Sequence, residues 1–463
     1  MNRGVCGWVC GVMCVLAAAA SSVAQSPPNT RVLDCTTSGC HSKQLDHKFL
    51  HGPTAVKSCD SCHEYADPLK HAFTLKRQGQ DLCSFCHMDK TGLEGPVVHD
   101  PVSKGQCTSC HDPHGSNSRR MLKRESVPQL CTECHKTVLD GKHTHGPAAT
   151  DCLACHKAHT ADHAKLLVKE GRDLCINCHA DVGKSVADAV HPHQPATGDC
   201  LQCHTPHSSN EPKALKAPPA ALCSECHKDV GIAATTSTHP HSAATEGRAC
   251  LNCHVAHGSS HDMQLAADPV KSCLVCHKVP IKTAKGRTIA ALTDLAIPSM
   301  HKHGPIQNGD CAGCHDVHGG SRDLLLIAGY SREFYQPFSD EAYALCFKCH
   351  DKNLAASEKV SKETGFRDGD RNLHYVHVTK ETQGRSCRAC HEVHASKFQA
   401  QIAEGVTFGQ WKLPINFAPT MTGGSCEPGC HKQQKYDRRP LTERPPEPTG
   451  APGSPAPTQP GGR

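Results

Sequence analysis

Apolar residues gather at one place near the start of this 463-residue chain. Val5 to Ala20 is mostly apolar, follows a short basic start ending at Arg3, and precedes Ser22-Val23-Ala24, a small-residue cleavage site before Gln25. That pattern predicts a secretory signal peptide over residues 1–24 and an exported mature chain. The run is sixteen residues, short of the about twenty that a membrane span needs, which makes an uncleaved anchor the lesser alternative. No later segment could span a membrane. Leucines stand directly before several cysteines, at Leu82, Leu130, Leu174, Leu222 and Leu345, and two short apolar stretches, Ile289 to Leu292 and Trp411 to Ile415, come late. Hydrophobic residues are 37% of the chain and aromatics only 4%, with much of the hydrophobic share being cysteine. So few large apolar side chains make a poor core for this length. The expected fold is mostly coil with short α-helices and no substantial β-sheet, packed around something that supplies the missing apolar surface.

The cysteines say what that is. There are 33. Cys6, Cys10 and Cys14 lie in the N-terminal segment, and the other thirty fall into motifs that end in histidine. Six C-x-x-C-H motifs, most of them preceded by leucine, are Cys83/Cys86/His87, Cys131/Cys134/His135, Cys175/Cys178/His179, Cys223/Cys226/His227, Cys273/Cys276/His277 and Cys346/Cys349/His350. Seven more alternate with them: Cys59/Cys62/His63, Cys107/Cys110/His111, Cys152/Cys155/His156, Cys200/Cys203/His204, Cys250/Cys253/His254, Cys311/Cys314/His315 and Cys387/Cys390/His391. Two widened motifs bracket the set, Cys35/Cys40/His41 and Cys426/Cys430/His431. C-x-x-C-H is the attachment site of c-type haem. Two thiols add to the vinyl groups of one porphyrin, and the next residue supplies an imidazole for the iron. A zinc site needs four ligands and gives no reason for a histidine after every second cysteine. A disulfide framework ignores the histidines too.

The motifs form an internal repeat. The seven alternating ones carry two histidine arms. The downstream arm lies three residues past the motif, at His114, His159, His207, His257, His318 and His394, and in the first block Ala66 takes that place with His71 nearest. The upstream arm lies seven to ten residues before the first cysteine, at His51, His99, His145, His193, His241, His303 and His377. Proline follows it two residues later in five of seven blocks, which marks a turn. With His47 the arms number fifteen, one for each motif histidine, so bis-histidine ligation throughout is expected. Seven histidines are left over: His143, His163, His191, His239, His261, His301 and His374. His207 cannot reach round to the far face of the haem held by His204. It is expected to serve a sequence-adjacent haem, that of Cys175 or Cys223. Methionine, the ligand that would raise the potential, follows no repeat.

The alternation of L-C-x-x-C-H with G-D-C-x-x-C-H-x-x-H, as in Leu174-Cys175 and Gly198-Asp199-Cys200, resembles the doubled-CXXCH family of multihaem cytochromes c, which includes periplasmic decahaem cytochromes of porin–cytochrome conduits. The likeness covers about Cys35 to His431. It departs in having fifteen motifs, two of them widened. It implies about fifteen covalent haem c groups stacked as an electron wire, in an elongated protein whose sequence-adjacent haems are adjacent in space.

Motifs start 21 to 27 residues apart as far as Cys273, then 35 to 41 apart. The expected organisation is a signal peptide (1–24), compact haem repeats (25–278), repeats with longer spacers (279–435) and a disordered Pro-rich tail (436–463). The formal charge of +5 is misleading, because two propionates per haem would make the loaded protein acidic. No basic patch with interleaved aromatics supports nucleic-acid binding. The leading function is electron transfer through the periplasm, with redox protein partners that include an outer-membrane porin and an outer-surface cytochrome. The alternatives are a multihaem reductase with one open haem, for which no C-x-x-C-K variant speaks, and a subunit of an extracellular cytochrome filament.

Overall fold

The computed structural model describes residues 35–88, 95–283 and 286–445. The signal-peptide segment and most of the Pro-rich tail lie outside them. The chain divides into two compact units. One takes the chain up to Glu133 together with Lys157–Asp162, and the other takes Cys134–His156 and the chain from His163 onward. Both are coil with short helices, many of them single 3-10 turns, and two- or three-stranded antiparallel pieces that never assemble into a larger sheet among the described residues. Among those residues no helix is long and apolar enough to cross a membrane.

The two motif kinds fold differently for local reasons. Leucine-preceded motifs sit at the ends of short α-helices, such as Val127–Cys131, Gly171–Ile176 and Pro219–Ser224, and the motif of Cys273 closes the helix Pro269–His277. Proline occupies the first turn of three of these, where its missing N–H costs nothing. Ser126 and Gln129 add a reciprocal capping box. Six of the seven alternating motifs instead open with a 3-10 turn, as at Cys152–Ala154 and Cys200–Gln202. In these two the aspartate before the cysteine caps the turn. The Leu153 N–H donates to Asp151 Oδ1 at 2.9 Å and the Leu201 N–H to Asp199 Oδ1 at 2.8 Å.

Two-residue strands tie repeats together. Phe49–Leu50 pairs with Gly115–Ser116, Val97–Val98 with Thr160–Ala161, His143–Thr144 with Ser208–Ser209, His191–Pro192 with Gly258–Ser259, His239–Pro240 with Gly319–Gly320, and His301–Lys302 with Ala395–Ser396. In each clamp the first strand runs into an upstream arm and the second leaves a downstream arm. Gly319 has φ +147°, and a Cβ there would collide with the Ala233 carbonyl and Ser237 Oγ, so glycine is required.

Buried apolar residues are small and scattered, as at Ala161, Ala234, Ala249 and Ala395, while Phe85 and Leu69 are exposed. A buried aromatic cluster forms where motif spacing is longest. Tyr343, Ala355 and Val378 are buried there, with Phe338, Phe347 and Cys387 packed against them. Beside it Asn372, the one fully buried large side chain among the described residues, donates from Nδ2 to the Leu354 and Ser357 carbonyls at 3.0 and 2.7 Å and accepts from the His374 N–H at 2.9 Å. Asn372→Ala leaves these buried groups unsatisfied, at about 1–3 kcal/mol for each. We expect a clear fall in the urea midpoint of the second unit; an unchanged midpoint would show that the network contributes nothing.

Candidate haem-binding site

The site begins with a hydrogen bond. In six of the seven alternating motifs the motif histidine aims Nδ1 at a backbone carbonyl nine residues on: His111 at Arg120 (2.7 Å), His156 at Lys165 (2.9 Å), His204 at Lys213 (3.0 Å), His254 at Met263 (2.8 Å), His315 at Leu324 (2.9 Å) and His391 at Ala400 (2.9 Å). A carbonyl only accepts, so Nδ1 carries the proton and Nε2 keeps its lone pair for a metal. Every one of these carbonyls belongs to a non-glycine residue in the left-handed region, with φ between 52° and 62°. Such residues cost of order 1–2 kcal/mol each, and the loop around them has to hold them there. In the block of Cys200 the Thr205 N–H donates to the Ala214 carbonyl (2.8 Å), the Lys216 N–H donates to the Cys203 carbonyl (2.9 Å), and Ser209 Oγ donates to the Leu215 carbonyl.

The upstream arms are fixed in the same way by the clamps. His51 aims Nδ1 at the Pro113 carbonyl (2.9 Å), His99 at Ala158 (3.0 Å), His145 at Pro206 (2.9 Å), His193 at Ala256 (2.8 Å) and His241 at Val317 (2.7 Å). Each acceptor directly precedes a downstream arm of a later block. The backbones join as well, with the His51 N–H donating to the His114 carbonyl (3.0 Å) and the His145 N–H to the His207 carbonyl (2.8 Å). In the register of the clamp at His191–Pro192, His193 and His257 stand directly opposite each other.

Among the described residues these constraints bring histidine rings together in thirteen pairs, each joining one motif histidine to one other. Ring centres lie 5.8 to 6.4 Å apart. Upstream arms meet the leucine-preceded motif that follows their own: His51 with His87, His145 with His179, His193 with His227, His241 with His277 and His303 with His350. Downstream arms reach back to the alternating motif of the preceding block: His114 to His63, His159 to His111, His207 to His156, His257 to His204, His318 to His254 and His394 to His315. His207 therefore faces neither the Cys175 nor the Cys223 motif, as its short tether suggested, but that of Cys152, two motifs back. The reason is the clamp, which turns the arm toward the earlier block. His143, His191, His239 and His301 lie on the clamp strands two residues before the upstream arms.

The ends follow other rules. A hairpin, His63–Asp67 with Ala72–Leu75, replaces the first downstream arm and presents His71 at φ 50° to His41, 6.2 Å away. Near the other end the helix Leu373–Val378 carries two histidines one turn apart. His374 faces His391 at 6.1 Å, with Nδ1 3.0 Å from Thr364 Oγ1. His377 aims Nδ1 at the Leu373 carbonyl (2.7 Å); burial lowers its pKa, and the nearby His431 lowers it further. Burial, then the neighbouring His391 and His377, lowers the pKa of His374 to about 3, which keeps the imidazole neutral. His47 is in no ring pair among the described residues and packs beside Gly115. The arithmetic that counted His47 and set His374 aside misses this helix, because His374 falls outside the repeat's spacing. His99 and His135 stand at the arm and motif positions of their block.

The thirty motif cysteines are thiols, none of them in a disulfide. The motif pattern treats its two cysteines as equal anchors, and the structure separates them. First cysteines are half-buried throughout, from Cys35 to Cys426. In the leucine-preceded and widened motifs the second cysteine is exposed instead, at Cys40, Cys86, Cys134, Cys178, Cys226, Cys276, Cys349 and Cys430. The local fold is the reason. In most of these motifs the short helix ends at or just past the first cysteine, as Gln80–Ser84 and Ala344–Phe347 do, and leaves the second at its open end. In the alternating motifs, six of which form a 3-10 turn, both thiols are tucked in, and Cys62, Cys110, Cys155, Cys203, Cys253, Cys314 and Cys390 stay half-buried.

Thiols of consecutive motifs meet. Cys273 and Cys311 sulfurs lie 4.0 Å apart, and the Cys83, Cys175 and Cys223 thiols are pushed up to about 11 by burial, then by Cys107, Cys200 and Cys250 respectively. Cys62 acts on Cys83 as well. Second cysteines meet across the alternate step. Burial raises Cys155, Cys203, Cys253 and Cys314, and the facing Cys178, Cys226, Cys276 and Cys349 raise them further. Burial pushes Cys390 up to about 11, with Cys426 and Cys430 adding to it.

Among the described residues no group of three or more His, Cys, Asp or Glu could hold a metal ion alone. Two imidazoles on opposite sides of one metal ion, each about 2 Å from it, would put their ring centres about 6 Å apart. The histidine pairs fit that spacing, and the motif of each supplies two thiols. The residues present therefore fit covalent haem.

A family model described as the doubled CXXCH motif matches residues 51–92, 99–139, 145–184, 193–231, 241–281 and 303–355, more than half of the chain. No curated protein matches it. Each matched stretch that pairs internally does so between its first histidine and its second motif. Ser259→Ala should loosen one clamp loop, since Ser259 Oγ donates to the Leu265 carbonyl and accepts from the His261 N–H at 2.9 Å. Faster amide exchange at His261, with distant blocks unchanged, is the expected outcome, and unchanged protection would contradict it.

Proposed function

We propose that this chain, which belongs to the doubled-CXXCH family of multihaem c-type cytochromes and so carries covalent haem c for electron transfer, holds fifteen haems and passes electrons along them through the periplasm, to or from an outer-membrane conduit. The observation that carries the reading is the set of thirteen histidine pairs among the described residues, all within one chain. Each haem, when bound, supplies one iron that takes up and releases one electron. The chain's residues do the rest. Each cysteine pair anchors a porphyrin edge, the motif histidine holds one side of the iron, and an arm holds the other. His71, His114, His51, His159, His207, His145, His257, His193, His318, His241, His394, His303 and His374 take the arm's part for the motifs they face, and His377 does so for His431.

Bis-histidine ligation at each pair leaves no iron open to substrate and no ligand to be borrowed from another copy. This favours a carrier over a reductase or a ligand-sharing filament. The order of transfer follows the sulfurs: through the second unit, each motif from Cys152 to Cys426 has a thiol that interacts with a thiol of the next. The partners that fit are redox proteins at the two ends of that order, an outer-membrane porin with an outer-surface cytochrome among them.

Intact mass of the exported protein tests the stoichiometry, with fifteen haems expected and a smaller number counting against the widened motifs. His207→Ala should create one high-spin haem per molecule by magnetic circular dichroism, and an electron-microscopy map should place the open position opposite His156. An opening opposite His179 or His227 would overturn the assignment. His374→Ala should likewise expose one iron, whereas His47→Ala should leave every haem low-spin; the reverse result would return His47 to the ligand set.

A further inference from the structure

The downstream arms differ in one respect from the other constrained histidines. Most motif histidines of their class and most upstream arms give Nδ1 to a backbone carbonyl, but the downstream arms do not. At the first of them, His114, a side chain two residues earlier stands beside Nδ1 instead. That position reads Asp112, Lys157, Thr205, Val255, Asp316 and Glu392 through the six blocks. At the first of these a charged group is in contact. Asp112 Oδ1 lies 3.6 Å from His114 Nδ1 and also accepts the His114 backbone N–H at 3.0 Å, which holds the carboxylate against the ring. The Asp112 N–H in turn donates to the Met121 carbonyl at 2.8 Å, fixing the aspartate on the same loop that anchors His111. At the next three positions the side chain is occupied elsewhere or uncharged. Lys157 is drawn to Asp162 at 3.5 Å, Thr205 Oγ1 donates to the Ser208 carbonyl at 2.8 Å, and Val255 has nothing to offer. Asp316 and Glu392 occupy the position in the last two blocks.

We propose that Asp112 is a positioning residue that lowers the reduction potential of the haem held between His63 and His114, and that the side chain two residues before each downstream arm grades the potentials of the alternating haems along the chain. A carboxylate beside the outer nitrogen of a metal-bound imidazole makes that imidazole a stronger donor and favours the more positive, ferric iron. Asp112 thus stabilises the oxidised state at Cys59, while Thr205 and Val255 leave the haems of Cys152 and Cys200 without that contribution. The wire acquires a low-potential step early in the first unit and a relaxed stretch in the second. This rests on the ligand pairs proposed above.

Asp112→Asn tests it, because asparagine keeps the acceptor for the His114 N–H and removes only the charge. In a spectroelectrochemical titration of the full-length holoprotein, one haem's share of the absorbance change should move from the low-potential end to higher potential, with all haems still low-spin. A titration superimposable on that of the unmodified protein would overturn the proposal. His114→Ala supplies the control: adding Asp112→Asn to it should shift nothing further if the charge acts through that ligand. An equal shift in both backgrounds would show a general field effect and overturn the route through His114. Haem stoichiometry and the high-spin signal of His114→Ala report separately on the ligation reading. Absence of a high-spin haem there would overturn the ligand pair itself, whatever Asp112 does.

Discussion

The structure depends on one hydrogen bond, repeated: a histidine Nδ1–H donated to a backbone carbonyl. It decides which nitrogen is free, and it fixes the plane of the ring. To supply the carbonyl for a motif histidine the chain bends through two left-handed residues, Lys213 and Ala214 in one block, with none of the six first positions a glycine. To supply it for an upstream arm, a later block has to return and lie alongside as a two-residue strand. The irregular backbone is therefore specified. Its turns are placed by the acceptors that the histidines require, and the serine, threonine and lysine bonds around Ser209 close each loop against the strain.

The same bond explains how a chain with so little apolar mass organises itself. Each block pairs internally through its upstream arm and externally through its downstream arm, so no block is complete alone. This is the logic of repeat proteins, with histidine pairs in place of a continuous apolar core. Where the motifs spread out after Cys273 the logic changes. The spacers gain aromatic residues, and the second unit acquires the buried cluster of Tyr343, Phe338 and Phe347 together with the buried amide of Asn372. A lower density of cofactor sites is met by a conventional core.

The sequence made the motifs and both arms visible, because they recur at fixed places and need residue types with few substitutes. It also showed that the backbone would be mostly coil. Which motif an arm meets was not visible. A three-residue tether suggests a near neighbour, whereas the turn that directs His207 back to His156 depends on pairing with the strand His143–Thr144, far earlier in the chain. The inequality of the two cysteines was hidden for a similar reason. C-x-x-C-H is one pattern, but a helix end exposes Cys226 where an aspartate-made turn half-buries Cys203. The choice between His193 and His191 follows from register. His193 lies opposite His257, and His191 lies opposite Ser259. Counting histidines also could not separate His47 from His374, since the helix that presents His374 and His377 one turn apart belongs to the longer spacers and stands outside the repeat.

Register has a further consequence for electron transfer. The two arms that lie opposite each other in a clamp, His193 and His257, face two successive motifs, those of Cys223 and Cys200. One arm donates Nδ1–H to the residue directly before the other. The separation of two neighbouring ligand pairs is thus set by an antiparallel backbone ladder, whose directly opposed residues have nearly fixed spacing. Side chains on the clamp can vary, as they do from Phe49 and Val97 to His143 and His301 at equivalent positions, without moving either ring. Electron transfer over a long array needs every step to be short, since one long step limits the whole. Assigning that distance to the backbone makes each step a property of the repeat and leaves the individual side chains free to adjust potential.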